Sequence, residues 1–304
     1  GIFIKILEKH IFSSFSSLQR RREFIWEYLL MAASILKFHL FTIVLFCSSC
    51  SKFIGPAMTG PNNISYLPRP FILDSTKQET YISGQLSLNS TKNDYTSFGL
   101  GSLNISHAYA NKNINASIGG FGFAGIVNFA YLNDANTNQN FTDFQKSLFG
   151  FGLRSTIGFH IITTNKKVNF RILNWENAYS QEFGSYAKYR ELLQSTASQN
   201  NIYSNTYYIS TFTKVFTTGF SSEILINEPF DNKDFTFGFR GFAGFSPLLG
   251  SSFKNKSNDN LEYSSGSFVL SSSLFFNIKK TILIAEIGMG DKSYGAKIGI
   301  GKKF

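Results

Sequence analysis

The sequence predicts an all-β chain: an antiparallel up-and-down barrel of about ten strands that crosses a membrane, preceded by a signal segment and an extended tether. Three observations carry this expectation. Apolar and polar residues alternate with period two over stretches longer than soluble strands usually run. The connectors between those stretches alternate in length. A short apolar run near the N-terminus ends at a cysteine, Cys50.

The alternation is clearest where Phe149, Phe151, Leu153, Ile157, Phe159 and Ile161 share one face and Gly150, Gly152, Arg154, Thr156, Gly158 and His160 the other. Successive strand side chains point to opposite faces. A run of this length exceeds the ~5–6 residues of typical soluble strands and covers the ~9–11 that a tilted strand needs to cross a bilayer. Phe235, Phe237 and Phe239 against Thr236, Gly238 and Arg240 repeat the pattern, as do Leu283, Ala285, Ile287 and Met289 against Glu286, Gly288 and Gly290. The second face is rich in glycine with isolated charges, which suits a crowded lumen better than a solvated surface.

Ten strands are read in this way: 80–89, 95–110, 114–129, 146–162, 168–182, 205–225, 234–246, 265–278, 281–290 and 293–304. On one side the connectors are short (111–113, 163–167, 226–233, 279–280). On the other, three are long (130–145, 183–204, 247–264) and two short (90–94, 291–292). Membrane barrels keep short turns on the periplasmic rim and longer loops outside. If Asp291-Lys292 is a two-residue loop, Gly290 pairs with Ser293. That register sets Glu286 opposite Lys297, Met289 by Tyr294, Ile287 by Ala296, Ala285 by Ile298 and Leu283 by Ile300. A slip of one residue would destroy every apolar match.

The N-terminal region reads as an address. Lys37 and His39 precede an apolar run over Leu40–Phe46, too short for a membrane-spanning helix and of the length a secretion signal uses. Cys47-Ser48-Ser49-Cys50 resembles a lipobox, although Cys47 stands where leucine is usual. That resemblance implies cleavage before Cys50 and acylation of Cys50, which begins the mature chain, and Ser51 after it favours sorting to the outer membrane. Residues 1–30 are read as an upstream extension from a start assigned too early, and 31–49 as the lipoprotein signal peptide. Residues 50–79 carry four of the chain's six prolines (Pro56, Pro61, Pro68, Pro70). Proline removes backbone donors and holds the chain extended, so this stretch is expected to be a tether. The barrel follows over 80–304.

The last strand adds a second resemblance. Tyr294, Ala296, Ile298 and Ile300 alternate up to a terminal Phe304, which is similar to the C-terminal assembly signal of bacterial outer-membrane β-barrel proteins; Lys302 departs from it. The resemblance implies recognition by the barrel-assembly machinery and residence in outer-membrane lipid. An even strand count returns the C-terminus to the side where the first strand begins. The lipid anchor is therefore expected in the inner leaflet.

Composition and motifs exclude more chemistry than they suggest. The formal net charge is +10, yet residues 1–49 hold six basic residues against three acidic ones, and the remaining positive charges form no stripe of the kind nucleic acid requires. Cys47 and Cys50 are the only cysteines, so the main domain has no disulfide framework or thiolate metal site. Gly120-Phe121-Gly122-Phe123-Ala124-Gly125 spells a dinucleotide fingerprint, but Ile126-Val127-Asn128-Phe129 continues as strand where the motif needs a helix N-terminus. His107 and His160 are too few for most metal sites and fall near the short-turn strand ends. Neither a catalytic constellation nor a cofactor is read from the sequence. Tyr186–Leu193, with Lys188, Arg190 and Glu191, reads as a short helix or solvated turn in an outer loop. Arg154, Arg171, Arg240 and Lys297 are expected to face the lumen, opposed clearly only by Glu286. A salt-bridged, filled interior is favoured over an anion-preferring one, because a ten-strand barrel is barely wider than its own side chains.

The resulting expectation is a lipid-anchored outer-membrane barrel with a structural, adhesive or ligand-binding role. A narrow anion-preferring pore and a lipid-anchored soluble barrel that binds a small ligand are the alternatives.

Overall fold

Period-two alternation becomes ten antiparallel strands hydrogen-bonded into one closed barrel. The computed structural model describes residues 52–71, 76–91, 96–129, 144–163, 167–199, 207–227, 234–249 and 266–304. The signal segment, the proposed lipidation site Cys50 and most of the long connectors lie outside the described residues. The barrel strands are β2 (Lys77–Thr91), β3 (Thr96–Ala110), β4 (Ile114–Phe129), β5 (Phe144–Ile162), β6 (Val168–Phe183), β8 (Lys214–Asn227), β9 (Phe235–Leu249), β10 (Gly266–Ile278), β11 (Thr281–Gly290) and β12 (Ser293–Lys303). The ring closes where β12 pairs with β2. Two short strands form no part of the wall, β1 (Lys52–Ile54) and β7 (Tyr207–Ile209), which pair with each other in parallel. The stretch read as one strand over 205–225 is thus divided between β7 and β8.

The two faces of the wall differ as the alternation predicts. Phe149, Phe151, Leu153, Ile157, Phe159 and Ile161 are all more than half exposed on the outside, and Leu88 reaches 75%. Arg154, Thr156 and His160 of the same strand are buried inside. The fingerprint-like glycines lie within β4, which continues as strand through Ile126–Phe129, where the motif needs a helix N-terminus. Around Ile172 and Leu173 the pairing of β6 with β8 shifts. Both of these residues point outward, so Arg171 and Asn174 both face the lumen across the bulge. The β11–β12 hairpin has the predicted register: Met289 pairs with Tyr294, Ile287 with Ala296, Glu286 with Lys297, Ala285 with Ile298 and Leu283 with Ile300.

The rims are distinct. One carries the connections β3–β4, β5–β6, β8–β9 and β10–β11, together with Phe304, whose amide donates to the Thr80 carbonyl at 2.9 Å. The other carries the remaining connections, including α1 (Ser185–Gln199) between β6 and β7. These are the short-connector and long-connector rims.

The largest departure from expectation is the tether. Residues 53–70, read as an extended solvated leash, are buried inside the barrel. Near the long-connector rim, Phe53 lies against the Lys292 ammonium, 4.9 Å from the ring centre, and Ile54 packs with Phe129, Leu193 and Ile209. A 3-10 turn at Gly60–Asn62 occupies the middle. At the short-connector rim Phe71 packs against the cluster that contains Tyr81, Ala108 and Ile282. The proline content that argued for an extended chain does produce one, but a lumen this narrow is filled best by an extended segment whose backbone groups the wall can satisfy.

Candidate functional site: the occupied lumen

The side chains expected in the lumen are there, and the segment 52–71 brings them to one axis. Hydrogen bonds join the segment to β2, β4, β5, β6, β8, β11 and β12. Three glutamates hold it along its length. Near the long-connector rim Glu182 accepts the Ala57 amide at 2.8 Å and pairs with Arg190. In the middle Glu286 accepts the Tyr66 amide at 3.0 Å and the Ser273 hydroxyl at 2.8 Å, and forms an ion pair with the Lys297 ammonium at 2.9 Å. Towards the short-connector rim Glu223 accepts the Tyr66 hydroxyl at 3.0 Å and Arg171 at 2.8 Å, and forms a further ion pair with Arg69.

The cations answer backbone carbonyls of the segment as well as carboxylates. Lys297 donates to the carbonyls of Pro61, at 2.8 Å, and Ile64. Arg154 donates to the Asn63 carbonyl at 3.0 Å and to Asn104 at 2.6 Å, and stacks 3.8 Å over the Phe121 ring. Arg171 donates to the Pro70 carbonyl at 2.9 Å, and Arg69 to Asn115 at 2.8 Å. Arg240 makes two bonds to Glu176, at 2.8 and 2.6 Å, and approaches Glu286 at 3.8 Å. A proline-containing stretch has fewer amides to satisfy but keeps all its carbonyls, so donors suit it better than acceptors. That is why the wall turns Arg and Lys inward.

Apolar packing completes the filling. Ala57 and Met58 join Phe98, Leu100, Phe121 and Phe123, and Ile64 joins Ala178, Phe242 and Val269. Tyr66 stacks on Phe275 with ring centres 4.1 Å apart. The helix expected as a solvated turn instead caps this column. Tyr186 and Arg190 are fully buried, the Tyr186 hydroxyl donating to the Gly55 carbonyl at 2.9 Å and Arg190 pairing with Glu182. Burial pushes the Tyr186 phenol above its ordinary value, with Arg190 partly opposing, so it remains a donor.

Sequence reasoning missed Glu176, Glu182 and Glu223, and so found only Glu286 clearly opposing the lumen cations. Glu223 lies at the same parity as Thr217, Gly219 and Ser221 on β8, and this spacing was the signal available. Glu176 was hidden because the bulge at Ile172–Leu173 resets the alternation upstream of it. His107 and His160 point to opposite faces of the wall, His107 bonding Thr80 at 3.1 Å on the outside. Among the described residues no group of His, Cys, Asp or Glu is placed to hold a metal.

No protein-family model matches this chain, and no curated protein matches it. Solved structures that overlap it include Neisserial surface protein A, 6% identical over 76% of this chain and 100% of that one, TM-score 0.33. An outer membrane channel from Pseudomonas putida F1 is 9% identical over 79% and 100%, TM-score 0.38. The attachment invasion locus protein Ail of Yersinia pestis, solved with the heparin analogue sucrose octasulfate, is 9% identical over 76% and 100%, TM-score 0.29. At such identities and scores, the reading of function rests on the chain's own residues.

Proposed function

We propose that this chain is a lipid-anchored outer-membrane barrel, closed to solutes by its own N-terminal segment, whose role is structural, adhesive or ligand-binding at the long-connector rim. The occupied lumen is the observation that carries this reading. Every lumen cation that suggested an anion pathway is engaged: Arg171 with Glu223, Arg240 with Glu176, Lys297 with Glu286, and Arg154 with the Asn63 carbonyl. A through-flowing ion would have to displace these contacts together with the segment, and removing one partner of a buried pair costs about 3–5 kcal/mol. The same segment fills the lumen in which a small-ligand barrel would hold its ligand.

Membrane residence is supported by the outer face. Leu86, Leu103, Ile118, Phe159, Ile287 and Ile298 are all more than half exposed on it. A continuous apolar belt of this kind is stable in lipid and unstable in water. The lipobox-like Cys47–Cys50 run and the terminal Phe304 support sorting and assembly in the outer membrane. Reconstitution into planar bilayers tests the proposal: folded, heat-modifiable protein should insert without steady current at either polarity. A stable ohmic conductance with anion preference would replace it with the pore.

A further inference from the structure

The path of residues 52–71 fixes which face of the membrane receives the amino end of the mature chain. Residue 52 begins β1, which pairs with β7 in the connector between β6 and β8, and the Ser210 amide closes that arrangement by donating to the Ile54 carbonyl at 2.8 Å. Phe53 sits by Lys292 and Val215, both at the long-connector rim. From there the chain descends through the lumen to Arg69 and Phe71, at the short-connector rim where β2 begins and Phe304 ends. Residue 52 and Phe304 therefore lie at opposite rims of the barrel.

We propose that the chain is threaded through its own barrel so that Cys50 delivers its lipid to the leaflet beside the long-connector rim, the outer leaflet, and not to the inner one. This rests on the lipid-anchor reading above. The reach of the backbone makes the placement firm. Cys50 is two residues from Lys52, a span of at most ~7 Å. The hydrocarbon core it would have to cross to reach the opposite leaflet is ~30 Å thick, and the lumen route is occupied by the segment itself. Long connectors mark the outside in barrels of this kind.

Threading also dictates an order of events. Glu182, Glu223 and Glu286 grip the segment from three heights, and β12 pairs with β2 around it. An acylated end cannot be drawn through a lumen filled in this way, so it is on its final side before β12 closes on β2. The partner surface this implies is the acyl region of the outer leaflet, reached beside α1 and the connector between β11 and β12.

The test compares three positions in otherwise complete protein. A short hydrophilic epitope is inserted between Ser51 and Lys52, within the connector 250–265, or between Lys279 and Lys280. Antibody binding is read on intact and on permeabilised cells, in variants that remain heat-modifiable. The first two epitopes should bind fully on intact cells, and the third only after permeabilisation. An epitope at Ser51 that behaves like the one at Lys279 overturns threading. An exposed Lys279 epitope with the other two protected overturns the leaflet. If the Ser51 insertion does not fold, Lys52→Cys with a membrane-impermeant maleimide gives the same reading: labelling on intact cells supports the proposal, and labelling only after permeabilisation overturns it. Radiolabelled palmitate is followed in parallel. Label lost in Cys50→Ser confirms the anchor, whereas label that is absent or unchanged removes the lipid from the proposal while the antibody pattern still decides the path of the chain.

Discussion

Glycines on the two faces of this barrel wall do opposite things. Inside, a Cβ at Gly150 or Gly152 would run into the rings of Phe123 and Phe121, one at Gly238 into Phe275, and one at Gly288 into Pro61 of the threaded segment. Outside, a methyl group added at Gly84 would have nothing within 4 Å, and at Gly99, Gly101, Gly120 and Gly122 the nearest atoms would be 3.8–3.9 Å away. The outer glycines leave room, bordered by Leu86, Leu103, Phe149 and Ile298 in a groove of about 1330 Å³. The inner ones are demanded by close approach. The difference teaches that this wall was built around something, and that its tolerance to change depends on which face is altered.

The comparison breaks most severely at a buried charge. Replacing Glu223 with Leu leaves Arg69 and Arg171 unpaired in the lumen, and should destabilise the fold by about 3–5 kcal/mol. Urea titration of the heat-modifiable form measures this. An effect below ~1 kcal/mol would mean that water reaches these groups and the lumen is open.

Steric probes sharpen the same contrast. Gly288→Val on the inside should cost about 1–3 kcal/mol by overpacking against Pro61. Gly84→Val on the outside should stay within about 0.5 kcal/mol, as isolated surface changes do. The sign of the comparison matters more than its size, and equal effects would show that Pro61 does not rest on β11.

These residues also show how far the sequence could be read. The β11–β12 register was legible because apolar residues on the outer face must match pair by pair, and one register satisfies all of them. The lumen cations were legible from parity alone. The segment inside was not, since Pro56, Pro61, Pro68 and Pro70 give it no period, and an extended chain in a lumen has the same local signature as one in water. Its partners lie 125 residues away at Glu182 and 220 residues away at Glu286, a distance that no local pattern spans.

Smaller effects follow at single groups. Tyr66→Phe removes one hydroxyl bond to Glu223 while keeping the stack on Phe275, and should cost about 1 kcal/mol. Lys279, in the turn between β10 and β11, has φ 56°, a conformation that disfavours most side chains and that asparagine tolerates. Lys279→Asn should therefore stabilise the hairpin by about 0.5 kcal/mol, the exposed pairing with Asp234 being worth little. A loss of stability at this position would show that the turn is held by more than its own backbone.

The most direct test is to tie the segment to the wall. Pro61→Cys with Gly288→Cys sets the new Cβ at position 288 2.3 Å from the Cβ of residue 61, closer than the roughly 3.5–4.5 Å of a relaxed disulfide, so an opening of about 1–2 Å brings the two thiols into bonding range. Oxidation of the folded protein in membranes should form this one intramolecular bond nearly completely, located by mass spectrometry as a 61–288 link, with the barrel still heat-modifiable. Two thiols that stay reduced and alkylate freely in the folded barrel would contradict the occupied lumen, and with it the threaded chain.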